Sequence, residues 1–119
     1  MTPRQFAARA AQKIILPVAP RSFRLPFQYY LRLIDGRYEP ELLHLGAICQ
    51  NRNVAIDVGT GVGLYSYKLS HLFQRVFAFE INPDLILDLS DYNGANIEVI
   101  CSGLSSITGE ATLYIPLQR

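Results

Sequence analysis

The residues able to do chemistry crowd into one short stretch. Asp57, Gly59, Thr60, Gly61 and Gly63 follow directly on the apolar run Val54–Val58. Glycines in this spacing let the main chain turn tightly and approach a ligand closely, as a nucleotide-like cofactor requires. Glu80 stands 23 positions after Asp57 and closes a second apolar run. A carboxylate there can accept hydrogen bonds from both hydroxyls of a ribose. It can also be a surface acid at a helix start, because Asn82-Pro83 follows at once. Ser102-Gly103 closes a third apolar run. A dinucleotide fingerprint needs a small residue five positions after its first glycine. Leu64 stands there instead. No lysine follows the loop, which disfavours a triphosphate.

The elements that must hold these residues follow from periodicity. Val54–Val58, Val76–Phe79 and Ile97–Cys101 read as buried strands. Gly63–Gln74 reads as a helix whose Tyr65, Leu69, Leu72 and Phe73 face a sheet. Asn82-Pro83-Asp84 is a helix start, with Leu85, Ile86 and Leu89 on the apolar side. Asn93-Gly94 is a turn, and Ala111–Ile115 alternates enough for one more short strand. Strand–helix–strand–helix–strand predicts an α/β unit with a Rossmann-like parallel sheet of three strands plus the short extra one. Ligands of such sheets bind beyond the carboxyl ends of the strands, where Asp57, the glycine loop, Glu80 and Ser102 all fall.

Residues 1–53 precede this unit as a helical extension. Thr2-Pro3 can start a helix through about Ile14, with Phe6, Ala10 and Ile14 at helical period. Pro17, Pro20 and Pro26 predict an extended connector over 17–26. Phe27, Tyr30, Leu31 and Ile34 define the face of a second helix, ended by Asp35-Gly36. Pro40 opens a third, with Leu42, Leu43, Leu45 and Cys49 inward.

The chain has 119 residues and a net charge of +1, with 50% of residues hydrophobic and 18% charged, as a globular domain requires. The charge is unevenly placed. Residues 1–53 hold eight Lys/Arg against three Asp/Glu, and residues 54–119 hold three against seven. The basic half is either a solvated surface or an arm that docks on another surface. Cys49 and Cys101 match no metal spacing and read as buried thiols of a reducing compartment. No apolar run is long enough to span a bilayer. The short Ile14-Ile15-Leu16 run is too brief for a secretion signal; the cytoplasm is the expected location, with an organelle-targeting reading of the Arg/Ala-rich start as the alternative.

The pattern Asp-x-Gly-x-Gly-x-Gly resembles the first motif of class I S-adenosylmethionine-dependent methyltransferases. Tyr38-Glu39-Pro40-Glu41-Leu42, Val54-Ala-Ile-Asp-Val-Gly59, Gly63-Leu-Tyr-Ser66 and Ala78-Phe-Glu-Ile-Asn-Pro83 together resemble the FkbM-type family, over roughly residues 24–115. Thr60-Gly61 replaces that family's usual Ala-Asn, and Ile81 its first proline. The resemblance implies O-methyl transfer from S-adenosylmethionine to a hydroxyl of a small molecule or sugar. It implies Asp57, Gly59, Thr60 and Gly61 against the amino-acid part of the cofactor, and Glu80 on the ribose. Tyr65 would wall the pocket, or else pack the core. Ser102 would lie near the adenine, where many relatives carry an acid.

The same resemblance implies a sheet of seven strands with the fourth beside the first, so the chain is expected to be the cofactor-binding, N-terminal half of the domain, with no acceptor site. No catalytic base and no metal ligands are found. His44 and His71 read as surface or capped core histidines. A non-catalytic α/β remnant or interaction module is the alternative, and an NAD-type oxidoreductase fragment the third reading. No nucleic-acid partner is expected. The unpaired edge of strand 54–58 should promote self-association.

Overall fold

The computed structural model describes residues 1–92, 94 and 96–117. Three helices come first: α1 (Pro3–Ile15), α2 (Arg21–Asp35) and α3 (Glu41–Ile48). An α/β unit follows: β1 (Val54–Val58), α4 (Leu64–Ser70), β2 (Arg75–Phe79), α5 (Leu87–Asp91) and β3 (Ile97–Ile100). The strands form one parallel sheet in the order β1-β2-β3. Register pairs Asp57 with Ala78 and Phe79 with Ile100. The expected Rossmann-like α/β sheet is therefore present, and its carboxyl ends align Asp57, Glu80 and the residues after Ile100.

Local sequence explains the helix ends. Thr2 caps α1 reciprocally: its Oγ1 accepts from the Gln5 N–H at 3.2 Å, and its own N–H donates to Gln5 Oε1 at 2.9 Å. Gly36, at φ 75°, ends α2 in the left-handed conformation a C-terminal glycine supplies. The expected connector over 17–26 is shorter than its prolines suggest, because α2 begins at Arg21 with Pro20 as its N-cap and Pro26 inside. Proline removes a single backbone hydrogen bond there, near the helix start. Burial of Leu25 at 0% exposure offsets the loss.

Two clusters form the core. One joins Leu25, Tyr29 and Leu42 of the N-terminal helices to Tyr67, Ala78 and Leu89 of the α/β unit. The other holds Ala55, Leu69, Phe73 and Val76. The stripe along α2 differs from the expected face: Tyr30 and Ile34 are exposed, while Leu25, Tyr29 and Leu31 are buried. The helix has neighbours on more than one side, α1 as well as α4 and α5, so a single-face pattern misplaces its core. In α1 the expected apolar face is turned out, since Phe6 and Ile14 are exposed and Ala8 is the residue packed inward. In α3, Leu42 is buried but Leu43 is exposed.

The α/β unit also departs from expectation in places. β1 is not buried: Val54, Ile56 and Val58 are 53%, 62% and 61% exposed, because only Ala55 and Asp57 turn toward packed elements. The helix after the loop ends at Ser70, four residues short of the expected Gln74. Asn82 does act as a cap, its Oδ1 accepting from the Asp84 N–H at 3.0 Å, but a turn precedes α5, which begins at Leu87. Asn93 of the expected Asn93-Gly94 turn lies outside the described residues. Ala111–Ile115 forms no strand and is exposed throughout. Alternation alone cannot make a strand without a ladder partner. Cys101 is exposed and Cys49 half-buried, so neither is the buried thiol expected.

Candidate functional site

β1 delivers Asp57 to the mouth of the glycine loop, and the loop folds back on that carboxylate. Thr60 Oγ1 and Ser66 Oγ both donate to Asp57 Oδ2 at 2.7 Å, and the two hydroxyl oxygens lie 2.9 Å apart. Two hydroxyl protons cannot fill three oxygen–oxygen edges, and the charged acceptor takes both. Thr60 is 9% exposed and Ser66 0%. Asp57 thus pins the loop to the first turn of α4 through one oxygen. Its Oδ1 has no hydrogen-bond partner among the described residues.

The loop needs its glycines for two different reasons. Gly61 has φ 59°, and a Cβ built there meets nothing within 4 Å, so the loop opens onto free space. Gly63 has φ 98°, and a Cβ would lie 3.0 Å from Leu89, so a side chain there would strain the backbone and push Leu89 of α5 aside.

Most of the loop's N–H groups are already occupied. Gly59 and Thr60 both donate to the Phe79 carbonyl, at 2.8 and 2.9 Å, and Gly63 donates to the Thr60 carbonyl at 3.0 Å. The Gly61 N–H donates to Glu80 Oε2 at 2.9 Å. A phosphate cradle works through converging free N–H donors. This loop turns those donors inward and presents backbone surface instead. The arrangement suits a ligand that packs against main chain and disfavours a pyrophosphate.

Glu80 closes β2 and is 8% exposed. Besides Gly61, it accepts from the Asn82 N–H through Oε1 at 2.9 Å. Burial beside the loop sets aside the reading of Glu80 as a surface helix-start acid. Each carboxylate oxygen keeps a further lone pair for a ligand hydroxyl.

Ser102 follows β3 and is exposed, with its Oγ donating to the Gly103 carbonyl at 3.2 Å. A Cβ at Gly103 would lie 2.9 Å from Ile81, so the segments after β2 and β3 touch. A groove of about 420 Å³ runs beside them, lined by Ile81, Ser102, Gly103, Leu104, Thr112 and Leu113.

Tyr65 takes neither of its expected places alone. Its ring packs beside the shared core, while its hydroxyl donates to Glu39 Oε2 at 2.5 Å. That contact, followed by burial, raises the phenol from the usual 10.0 to about 12. His71 Nδ1 lies 2.8 Å from the Tyr67 carbonyl and is capped as expected, and His44 is exposed. No cluster of His, Cys, Asp and Glu able to hold a metal occurs among the described residues.

The fold therefore gathers Asp57, Gly59, Thr60, Gly61 and Glu80 at one rim, with Ser102 beside it and Tyr65 at the outer edge. Ser66 and Glu39 complete the arrangement, beyond the residues that the motifs assign to the site. Ser66 stands in the Gly-Leu-Tyr-Ser motif after the loop, which was the signal for it. Glu39 is 26 positions from Tyr65, and no local pattern joins them.

No protein-family model matches the chain, and no curated protein matches it significantly. Solved structures do. DhpI, solved in complex with SAM and HEP, superposes with a TM-score of 0.51 at 15% identity, over 92% of this chain and 48% of DhpI. The 23S rRNA methyltransferase ErmE matches 56% of this chain and 29% of its own, at 24% identity and a TM-score of 0.47. The chain spans about half the length of DhpI or less than a third of ErmE. The likeness to DhpI establishes the fold: an open, parallel, Rossmann-like α/β sheet with flanking helices.

Proposed function

We propose that this chain binds S-adenosylmethionine at the β1–α4 loop and serves as the cofactor-holding part of a methyltransferase. The observation that carries the reading is Glu80. Its buried carboxylate sits on the Gly61 N–H, which joins a ribose-binding acid to a glycine loop whose other donors are mostly occupied. S-adenosylmethionine carries a ribose and no phosphate, so it matches both halves of that description. NAD matches only the first. A structural neighbour solved with SAM adds support through the fold.

In this reading Glu80 accepts hydrogen bonds from the ribose hydroxyls. Asp57 offers its open Oδ1 to the amino group of the cofactor, while Thr60 and Ser66 hold the carboxylate in place. Gly59 and Gly61 let the amino-acid part of the cofactor lie against the backbone. Ser102 borders the adenine, and Tyr65 closes the outer wall. The cofactor supplies a methyl group already activated by its sulfonium charge. The protein's part is alignment of acceptor and methyl. The FkbM-like motifs support O-methyl transfer to a hydroxyl of a small molecule or sugar.

Isothermal titration of the chain with S-adenosylmethionine and with NADH tests the reading. Micromolar binding of the former is expected. Glu80→Gln should weaken it by roughly tenfold to a hundredfold, as for the loss of a charge-assisted hydrogen bond. NADH binding in its place overturns the proposal, and binding of neither leaves a non-catalytic α/β module.

A further inference from the structure

The outward face of α1 is built the wrong way round for a helix that has only water beyond it. Its buried residue is Ala8, while Phe6 is 68% and Ile14 71% exposed. Phe6, Ala10 and Ile14 follow one another at four-residue steps and share one stripe. The stripe continues past the helix end to Val18, 81% exposed. Isolated exposed apolar residues need no explanation, but a contiguous stripe marks a surface that meets something.

The charge around the stripe says what. Arg9 lies one turn from Phe6, and Lys13 lies two turns from it on the same side of the helix. Arg9 and Lys13 line a groove of about 760 Å³ together with Phe6, Ala10, Leu16 and Pro17. Arg4, Arg9 and Lys13 have no ion-pair partner among the described residues. The first 34 residues hold six Lys/Arg and no acid at all. The first acid, Asp35, is buried and bound to Arg37.

We propose that α1 lies flat on an anionic lipid surface, with Phe6, Ile14 and Val18 in the acyl boundary and Arg9 and Lys13 among the headgroups. Large apolar side chains beside unpaired cations on one short helix are what an interfacial helix requires. A nucleic acid would use the cations but leave the aliphatic stripe in water. A second copy packed α1 against α1 would set like charges against one another. No helix of the described residues is long and apolar enough to cross a membrane, so the contact is interfacial. The proposal is independent of the cofactor reading and survives its failure.

Flotation of the full chain with lipid vesicles provides the test. The chain should float with phosphatidylcholine vesicles containing phosphatidylserine, stay behind with phosphatidylcholine alone, and detach as salt is raised. Phe6→Ser with Ile14→Ser should weaken partitioning by about tenfold or more. Arg9→Gln with Lys13→Gln should weaken it about thirtyfold. All four side chains are exposed, and circular dichroism checks that the variants remain folded. Failure to float, equal flotation on neutral vesicles, or indifference to both double variants overturns the proposal. So does binding to RNA or to an acidic protein without binding to the vesicles.

Discussion

β1 reads Val-Ala-Ile-Asp-Val and β2 reads Arg-Val-Phe-Ala-Phe, two five-residue runs of comparable strand propensity. Their surroundings differ. β2 is paired on both edges, and its Val76 and Ala78 are 0% exposed. β1 is paired on one edge among the described residues, and three of its five side chains are more than half exposed. The ends of the strands repeat the contrast. β2 ends in a carboxylate buried against its neighbours, whereas the loop after β1 opens outward at Gly61 and closes inward at Gly63. Burial of a strand is thus a property of what flanks it, and an apolar run gives only the capacity to be buried.

Substitution can break this comparison or sharpen it. Val76→Asp should lose about 4 kcal/mol or more, because an unpaired charge enters a closed core. Ile56→Lys on β1 should change stability by about 1 kcal/mol or less, as at an exposed site. Urea unfolding measures both, and equal losses would erase the distinction between the strands. The same Ile56→Lys variant should suppress self-association in sedimentation velocity if the open edge and face of β1 bring copies together.

A smaller effect separates the two loop glycines. Both Gly61→Ala and Gly63→Ala carry a left-handed backbone cost of about 1–2 kcal/mol. Only Gly63→Ala also forces Leu89 to move, so it should be the worse by about 1 kcal/mol. Equal destabilisation would mean that α5 yields freely to the loop.

The smallest effect lies at the rim beside the loop. Tyr65 should titrate near 12, and Glu39→Gln should bring it back toward 10.0, read from phenolate absorbance. The folded state favours the neutral phenol. Its contribution to stability is therefore complete below pH 10 and is lost as pH rises from there toward about 12. An unchanged titration in the variant would show that Glu39 is not the cause. Tyr67, raised chiefly by burial and then by Tyr30, should keep its shift in that variant.

Much of the α/β unit was legible because its signals are local. Glycines at 59, 61 and 63 permit positive φ where other residues resist it, and all three adopt it. The runs at 54–58, 76–79 and 97–101 propose strands, and right-handed crossovers leave few ways to order them. Asp57 and Glu80 reach the same rim because each closes a strand of a parallel sheet. The extra strand at 111–115 failed because a strand is a pairing, and no residue within 111–115 supplies the partner.

The backbone's own demands, at glycines, caps and strand runs, are thus written in the sequence of this protein. Tertiary structure decided which way the helices face, since Phe6 and Ile14 point out while Ala8 packs in. It also decided which hydrogen bonds the site uses. Thr60 and Ser66 converge on Asp57, Glu39 reaches Tyr65, and Glu80 settles on Gly61. Those contacts join residues up to 26 positions apart, and their geometry exists only once helix and sheet have packed. Side-chain direction and long-range pairing depend on neighbours, and neighbours are fixed only by the whole fold.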